Sequence, residues 1–146
     1  MVREIKFDEL NELLKLYLYL HEKNIPEEND HLKNTWDTIM NDKYHHIIVN
    51  VIDDKIVSSC VLVIIPNLTR NVRPYAIIEN VVTNEDYRNK GYATECLNYA
   101  SNIAEKENCY KIMISTSSKE KSTLDFYEKA GYNGTEKTCF IKRFNK

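Results

Sequence analysis

The residues best suited to chemistry are those from Arg88 to Thr94, where Arg-Asn-Lys-Gly-Tyr-Ala-Thr joins an apolar stretch beginning at Ile77 to an amphipathic stretch that runs to Ala104. The chain has only three glycines, at positions 91, 131 and 134. One of them falls where an extended segment gives way to a helix. Glycine there lets the backbone turn sharply and come close to a ligand. The first N–H groups of the following helix have no acceptor within it and carry the positive end of the helix dipole, a combination suited to a diphosphate. The expectation is a bound cofactor held by Arg88, Asn89, Lys90, Gly91, Tyr92, Ala93 and Thr94.

Neither of the common nucleotide fingerprints is present. No Gly-Lys-Ser/Thr follows, which removes a P-loop, and Gly-x-Gly-x-x-Gly is absent, which removes a dinucleotide fold. A metal centre is not expected. His21, His31, His45 and His46 lack the i, i+4 helical spacing of a zinc pair, and His45 and His46 as strand neighbours point to opposite faces. Cys60, Cys96, Cys109 and Cys139 form no Cys-x-x-Cys pair and read as buried free thiols.

Elements that must position this turn are legible along the chain. A short strand around Val2 to Lys6 precedes a helix marked by Phe7, Leu10, Leu13, Leu14, Tyr17 and Leu18. A second helix is expected after Asp30, with Leu32, Trp36, Ile39 and Met40 inward. His46 to Ile52 and Ile56 to Ile65 are β-branched runs on either side of Asp53-Asp54-Lys55, the pattern of an antiparallel hairpin. Asn67 to Pro74 reads as a polar loop feeding a strand from Tyr75 to Thr83. Past the turn, Ala93, Cys96, Leu97, Ala100, Ile103 and Ala104 make one apolar helical stripe. A strand from Tyr110 to Thr116 then completes a βαβ unit with parallel strands. Ser122 or Thr123 is expected to cap a last helix through Ala130, stopped by Gly131, and Thr138 to Phe144 is expected as a final strand.

The totals set bounds. A length of 146 residues fits a single domain, 1–146, with a core that needs no disulfide or structural metal. Hydrophobic residues at 42% and charged residues at 29% are ordinary globular usage and argue against disorder or a membrane span. Twenty basic and 22 acidic residues are interspersed for a net charge of −2, so no field would gather nucleic acid or anionic lipid. The expected ligand is small, and with no secretory pattern at the start the expected location is cytoplasmic.

Arg88, Gly91 and Ala93 resemble the diphosphate loop of the GNAT superfamily of N-acetyltransferases, written Gln/Arg-x-x-Gly-x-Gly/Ala. Phe126-Tyr127-Glu128-Lys129-Ala130-Gly131-Tyr132 resembles the Phe-Tyr-x-Lys-x-Gly-Phe/Tyr stretch that follows the second parallel strand of that family. The resemblance covers nearly the whole chain and is sharpest from Ile77 to Tyr132. It implies a mixed α/β fold, with a central twisted sheet, two splayed parallel strands and helices on both faces. It also implies acetyl-coenzyme A as the acyl donor, bound between those strands without a metal. Val81, Val82 and Thr83 would offer main-chain hydrogen bonds to the pantetheine arm. A β-bulge near Asn80 to Val82, usual in the family, would aim a backbone N–H at the thioester oxygen.

Two side chains then acquire candidate roles. Glu79 lies in an apolar strand, where alternation groups it with Ile77, Val81 and Thr83. It is either a carboxylate paired to an arginine or the base that deprotonates an attacking amine. Tyr127 is either a packed aromatic or, as the resemblance implies, the acid that protonates the departing thiolate, since a phenol's ordinary pKa of about 10 keeps its proton at neutral pH. Arg70, Arg73 and Tyr75 form either a solvated loop or part of an acceptor pocket for an anionic group.

The glucosamine 6-phosphate acetyltransferases of the superfamily are similar around Glu79-Asn80-Val81-Val82, Glu107 to Ile112 and Cys139 to Phe144. Ser115 to Asp125 is longer than their corresponding connection. The expected reaction is acetyl transfer to a primary amine of a small molecule by direct attack. Its rivals are a non-catalytic acyl-coenzyme A-binding module and a protein or peptide N-acetyltransferase. Family members often pair through late strands, so a homodimer is expected through Phe140, Ile141 and Phe144.

Overall fold

Asp53 and Asp54 turn the chain through two consecutive left-handed residues, φ 48° and 62°, and thereby join β2 (His45–Ile52) to β3 (Lys55–Ile65). Two positive φ angles in a two-residue loop match the right-handed twist of the flanking strands, and aspartate tolerates that region better than most residues. The computed structural model describes residues 1–145 and divides into two compact units, Met1–Met113 and Ile114–Lys146.

In the larger unit, β1 (Val2–Glu4) pairs antiparallel with β2, β2 with β3, and β3 with β4 (Tyr75–Thr83). β5 (Ile112–Ile114) takes the edge beside β4, for a sheet order β1-β2-β3-β4-β5. Just ahead of β5, Tyr110 N–H donates to the Pro74 carbonyl at 3.0 Å and Ala76 N–H donates to the Lys111 carbonyl at 3.0 Å. Both chains advance together through these bonds, so β4 and β5 run parallel and the sheet is mixed. β5 is shorter than the expected Tyr110 to Thr116.

β3 is central and covered on both sides, which is why its burial is continuous rather than alternating, with Ser58 and Ser59 buried among apolar neighbours. On one face α1 (Leu10–Leu16) and α2 (Asp30–Asn41) bring Leu13, Leu16 and Trp36 against Ile47, Val49, Val61 and Val82. Each large side chain buried here stabilises the fold by about 1.5–3 kcal/mol. α1 is flanked by short 3₁₀ turns, Phe7–Glu9 and Tyr17–Tyr19. Asn29 caps α2 by accepting from Leu32 N–H at 3.0 Å, one residue before the acid at which the sequence suggested a start. The Trp36 indole N–H donates to the Phe7 carbonyl at 3.0 Å, so its polar edge is satisfied inside the core.

A short turn, α3 (Thr69–Val72), links β3 to β4, and the other face is covered by α4 (Tyr92–Lys106), whose Cys96, Leu97, Ala100 and Ala104 are buried as the apolar stripe predicts. The Cys60 thiol lies 3.7 Å from the Cys96 carbonyl. Among the described residues no helix is long and apolar enough to cross a membrane.

The smaller unit contains α5 (Lys121–Lys129), which ends at Ala130 and Gly131, the latter at φ 101°. Its N-cap is Glu120 rather than Ser122 or Thr123, and Ser118 Oγ accepts the Glu120 N–H at 3.2 Å. The expected strand Thr138 to Phe144 is absent among the described residues. Phe140, Ile141 and Phe144 stand exposed there, and a strand exists only through a partner strand. The edge through which a homodimer was expected is therefore not formed. All four cysteines are free, but only Cys60 and Cys96 are buried; Cys109 is half-buried and Cys139 exposed.

Candidate active site

β4 carries a β-bulge. Val61 pairs with Glu79 and Ser59 with Val82, so the single residue Cys60 lies opposite both Asn80 and Val81. Asn80 absorbs the extra residue with φ 53°, a left-handed conformation that asparagine accepts more readily than most side chains. The bulge changes which residues share a face. Glu79 matches Val61 and Thr83 matches Ser58, three positions apart on β3, so Glu79 and Thr83 lie on opposite faces. Simple alternation had put them together.

The hydrogen-bond phase of the ladder shows which main-chain groups remain available. Asn84 N–H donates to the Val57 carbonyl at 2.8 Å, which places the Ser59–Val82 pair, two residues on, in the same bonded phase. Ile64 N–H donates to the Tyr44 carbonyl at 2.8 Å, and counting back by twos turns the Cys60 main chain toward β2. Asn80 and Val81 therefore have no main-chain partner on β3, whereas Glu79 and Val82 do. Val82 also accepts the Ser58 hydroxyl at its carbonyl, 3.0 Å. Thr83, in the unbonded phase, faces away from β3, with its carbonyl 3.3 Å from Arg88 Nε. Of the three residues expected to offer main-chain bonds to a ligand, Val81 and Thr83 turn their main chains away from β3, while the Val82 main chain is turned into the sheet.

Glu79 is exposed on β4. Tyr17, from the turn after α1, is half-buried; burial pushes its phenol up to about 12, with the Asn80 side chain opposing the shift. The Cys96 thiol is likewise pushed up to about 12 by burial and that of Cys60 is pushed up as well, so both keep their protons at neutral pH and neither is an activated nucleophile.

The turn after β4 has the geometry its sequence suggests. Asn89 is left-handed at φ 61°, and Gly91 caps α4 at φ 82°, ψ 6°. Glu95 N–H donates to the Gly91 carbonyl at 3.1 Å as the first helical bond. The N–H groups of Tyr92, Ala93 and Thr94 therefore have no acceptor within the helix. A Cβ at position 91 would meet nothing within 4 Å, so backbone conformation rather than space calls for glycine. Arg88 and Lys90 are exposed at the rim, with Lys90 Nζ 5.6 Å above the Tyr87 ring. Asn50, fully buried on β2, donates to the Tyr92 carbonyl and to Glu95 Oε2, each at 3.2 Å, and ties the helix start to the sheet.

Arg73 stands elsewhere. Its Nε and Nη2 donate to the Asn108 and Cys109 carbonyls, each at 3.1 Å, just past the C-terminal end of α4. That end lies about 22 Å from the Gly91 cap, at 1.5 Å per residue over 15 residues. The arginine caps the helix. Arg70 sits 5.4 Å over the Tyr110 ring, and Lys111 lies 5.3 Å from Tyr75 and 5.2 Å from Tyr110. This cluster is at the end of β4 remote from Thr83. Arg70, Asn71 and Val72 hold three consecutive left-handed φ angles, 56°, 62° and 60°, so the polar loop contains a left-handed turn that composition did not announce.

Tyr127 belongs to α5 in the smaller unit, half-buried, with its ring 5.0 Å from Phe126 in an edge-on arrangement. Its carbonyl accepts the Tyr132 N–H at 3.0 Å. Among the described residues no group of three His, Cys, Asp or Glu is placed to hold a metal ion, and His46 Nδ1 is instead 2.7 Å from Glu4 Oε1. A cavity of about 200 Å³ near His45 and His46, lined by Ile5, Ile39 and Met40 among others, includes none of the expected site residues.

Asn50 and Ser58 escaped the sequence reading. A lone asparagine or serine in a strand gives no local signal of what it meets.

A family model described as "Acetyltransferase (GNAT) family" matches residues 7–132. The glucosamine 6-phosphate N-acetyltransferase of Trypanosoma brucei brucei is 35% identical over 83 residues, 57% of this chain and 54% of that protein. The chain thus spans about half the length of that curated relative. Among solved structures, a putative acetyltransferase from Agrobacterium tumefaciens str. C58 superposes with a TM-score of 0.90 at 31% identity, covering 98% of this chain and 99% of the other. An acetyltransferase from Trypanosoma brucei superposes with a TM-score of 0.83 at 26% identity, again over 98% and 99%.

Proposed function

Since the chain belongs to the acetyltransferase (GNAT) family, we propose that it transfers acetyl from acetyl-coenzyme A to a primary amine of a small molecule by direct attack. The observation that carries this reading is the sequence of bulge, turn and helix: Asn80 and Val81, without a main-chain partner on β3, lead about ten residues on to the Gly91 cap and the N–H groups that open α4.

The residues present fit such a donor. The amides of Tyr92, Ala93 and Thr94 at the positive end of α4, with Arg88 and Lys90 at the rim, suit a diphosphate. Main-chain groups of Val81 and Thr83 suit the amides of a pantetheine arm. Acetyl-coenzyme A, when bound, supplies an acyl carbon activated as a thioester.

The remaining chemistry falls to side chains and one amide of this protein. Glu79 takes the proton from the incoming ammonium, through water where needed, since its carboxylate is exposed at the strand surface. Val81 N–H donates to the carbonyl oxygen as charge gathers on it, a preorganised donor that needs no movement during reaction. Tyr127 protonates the leaving thiolate. Cys60 and Cys96, buried and protonated, are bystanders.

The acceptor is a small amine, and a hexosamine phosphate is the first compound to try, because the relative with 35% identity is named for glucosamine 6-phosphate. Arg73 is assigned to helix capping rather than to the acceptor. Arg70 and Tyr75 remain acceptor-side candidates through the cluster with Tyr110 and Lys111. The test is release of free thiol on mixing acetyl-coenzyme A with a panel of amines, with and without a phosphate or carboxylate. Release that depends on the amine supports the reading. Tight cofactor binding without turnover on any acceptor would favour an acyl-coenzyme A-binding module, and turnover only on peptides would favour a protein acetyltransferase.

A further inference from the structure

We propose that Asn50 is a positioning residue for the acyl donor, aiming the amides that open α4 at the diphosphate of acetyl-coenzyme A from the sheet beneath the helix. The inference rests on the acetyltransferase reading above.

The buried polar side chains among the described residues are Asn50, Ser58 and Ser59. Two of them belong to one row. Asn50 on β2 stands opposite Ser58 on β3, and Ser58 stands opposite Thr83 on β4, so these three side chains share the sheet face covered by α4. The row holds both ends of the turn. Where the strand enters it, Ser58 donates to the Val82 carbonyl at 3.0 Å and pairs with the Thr83 hydroxyl at 2.9 Å. Where the helix leaves it, Asn50 donates to the Tyr92 carbonyl and to Glu95 Oε2, each at 3.2 Å. Ser59 lies on the opposite face and donates to the Ile48 carbonyl at 2.7 Å.

Each bond from Asn50 acts on the cradle. A carbonyl and a carboxylate only accept, so the side-chain amide turns its two hydrogens toward α4, while its oxygen lies 3.3 Å from the Met1 ammonium. The Tyr92 carbonyl belongs to the same planar trans peptide as the Ala93 N–H. Fixing that oxygen fixes the N–H, which points the opposite way and has no acceptor within the helix. The Glu95 carboxylate, in the first turn, is drawn to the same positive helix end as a diphosphate. Asn50 keeps it at the sheet. With both hydrogens given, a buried amide releases neither partner without leaving a polar group unpaired.

The experiment measures coenzyme A affinity by calorimetry, and steady-state kinetics with the best amine of the panel and either acetyl-coenzyme A or S-acetylpantetheine, which lacks the diphosphate. Wild type is compared with Asn50→Ala and with Ser59→Ala, a matched loss of a buried polar group on the opposite face. Asn50→Ala is expected to weaken coenzyme A about tenfold and to raise the KM for acetyl-coenzyme A alike, with kcat within about twofold. Its kcat/KM for S-acetylpantetheine should stay within about twofold of wild type, since that donor makes no diphosphate contact. Ser59→Ala should lower Tm and leave coenzyme A affinity within about twofold. Asn50→Asp keeps the size of the side chain but has no hydrogen to give, and should weaken coenzyme A at least about tenfold. Glu95→Gln in that background lets a glutamine amide donate to the new carboxylate, and affinity should return to within about threefold of wild type.

Unchanged coenzyme A affinity in Asn50→Ala, equal losses with the two donors, an equal loss of affinity in Ser59→Ala, or no recovery in N50D/E95Q would each overturn the proposal. Should Asn50→Ala fail to fold, Asn50→Asp and its recovery decide the matter. If the wild type binds coenzyme A yet releases no thiol with any acceptor, the transferase reading falls, and unchanged calorimetric affinity in Asn50→Ala would still refute the role of Asn50 on its own. A wild type that does not bind coenzyme A overturns both.

Discussion

Replacing Gly91 by alanine separates backbone strain from cofactor recognition. Gly91 holds φ 82° at the cap of α4, and an added Cβ would meet nothing within 4 Å. The cost is therefore conformational alone, about 1–2 kcal/mol for an L-residue kept left-handed. For a chain of 146 residues that corresponds to a fall in Tm of roughly 2–8 °C. Gly131 is an internal control, since it also has a positive φ, 101°, and also leaves open space for a Cβ. Gly131→Ala is expected to lose a similar amount of stability.

The two substitutions should differ in ligand binding. Alanine at 91 relieves its strain by rotating the amides that open α4, and loss of one or two aligned N–H bonds to a diphosphate weakens acetyl-coenzyme A about tenfold, or about 1.4 kcal/mol. Calorimetric titration of both variants measures this directly. Thermal scans at saturating acetyl-coenzyme A provide a second reading, because a ligand held by the native state raises Tm in proportion to its affinity. Equal affinity in Gly91→Ala and wild type, or equal weakening in Gly91→Ala and Gly131→Ala, would refute the assignment of Arg88 to Thr94 as the diphosphate cradle.

Further outcomes follow from the same geometry. Glu79→Gln is expected to lower kcat about hundredfold, and an unaltered kcat would remove Glu79 as the base. Tyr127→Phe should slow turnover at least tenfold when the leaving thiolate needs a proton; unchanged turnover from pH 6 to 9 would exclude it. Arg73→Ala leaves the Asn108 and Cys109 carbonyls without their guanidinium and should cost about 1 kcal/mol of stability at unchanged acceptor KM. A raised KM at full stability would return Arg73 to the acceptor pocket. Arg3 donates two 2.8 Å bonds to Glu9 and holds its carboxyl below the usual range. Glu9 therefore contributes stability above its unfolded pKa, and the contribution is lost as pH falls through its depressed folded value. Denaturant titrations from pH 7 down through that window should show a shallower acid loss in Glu9→Gln than in wild type.

Local order set much of this protein directly. The apolar stripe of α4, the Asp53–Asp54 hairpin, the strand entering the turn at Arg88 and the glycine at its exit are all visible in a single stretch of chain, because a helix repeats every 3.6 residues, a strand every two, and only a few residue types turn left-handed at low cost. The first family motif, Arg88 to Ala93, falls in one of these stretches. Tertiary structure decided what depends on a partner distant in sequence. Whether β4 carries an extra residue is defined only against β3, so alternation misplaced Thr83 relative to Glu79 and gave no sign that the Val82 main chain is committed to the sheet. Arg73 read as either a solvated loop charge or an anion ligand until the end of α4 was seen to take two of its three nitrogens. Thr138 to Phe144 has the composition of a strand, yet composition supplies no neighbour to bond with. Periodicity reports what one segment can bury; which polar group meets which is settled by packing across tens of residues, and no local pattern encodes it.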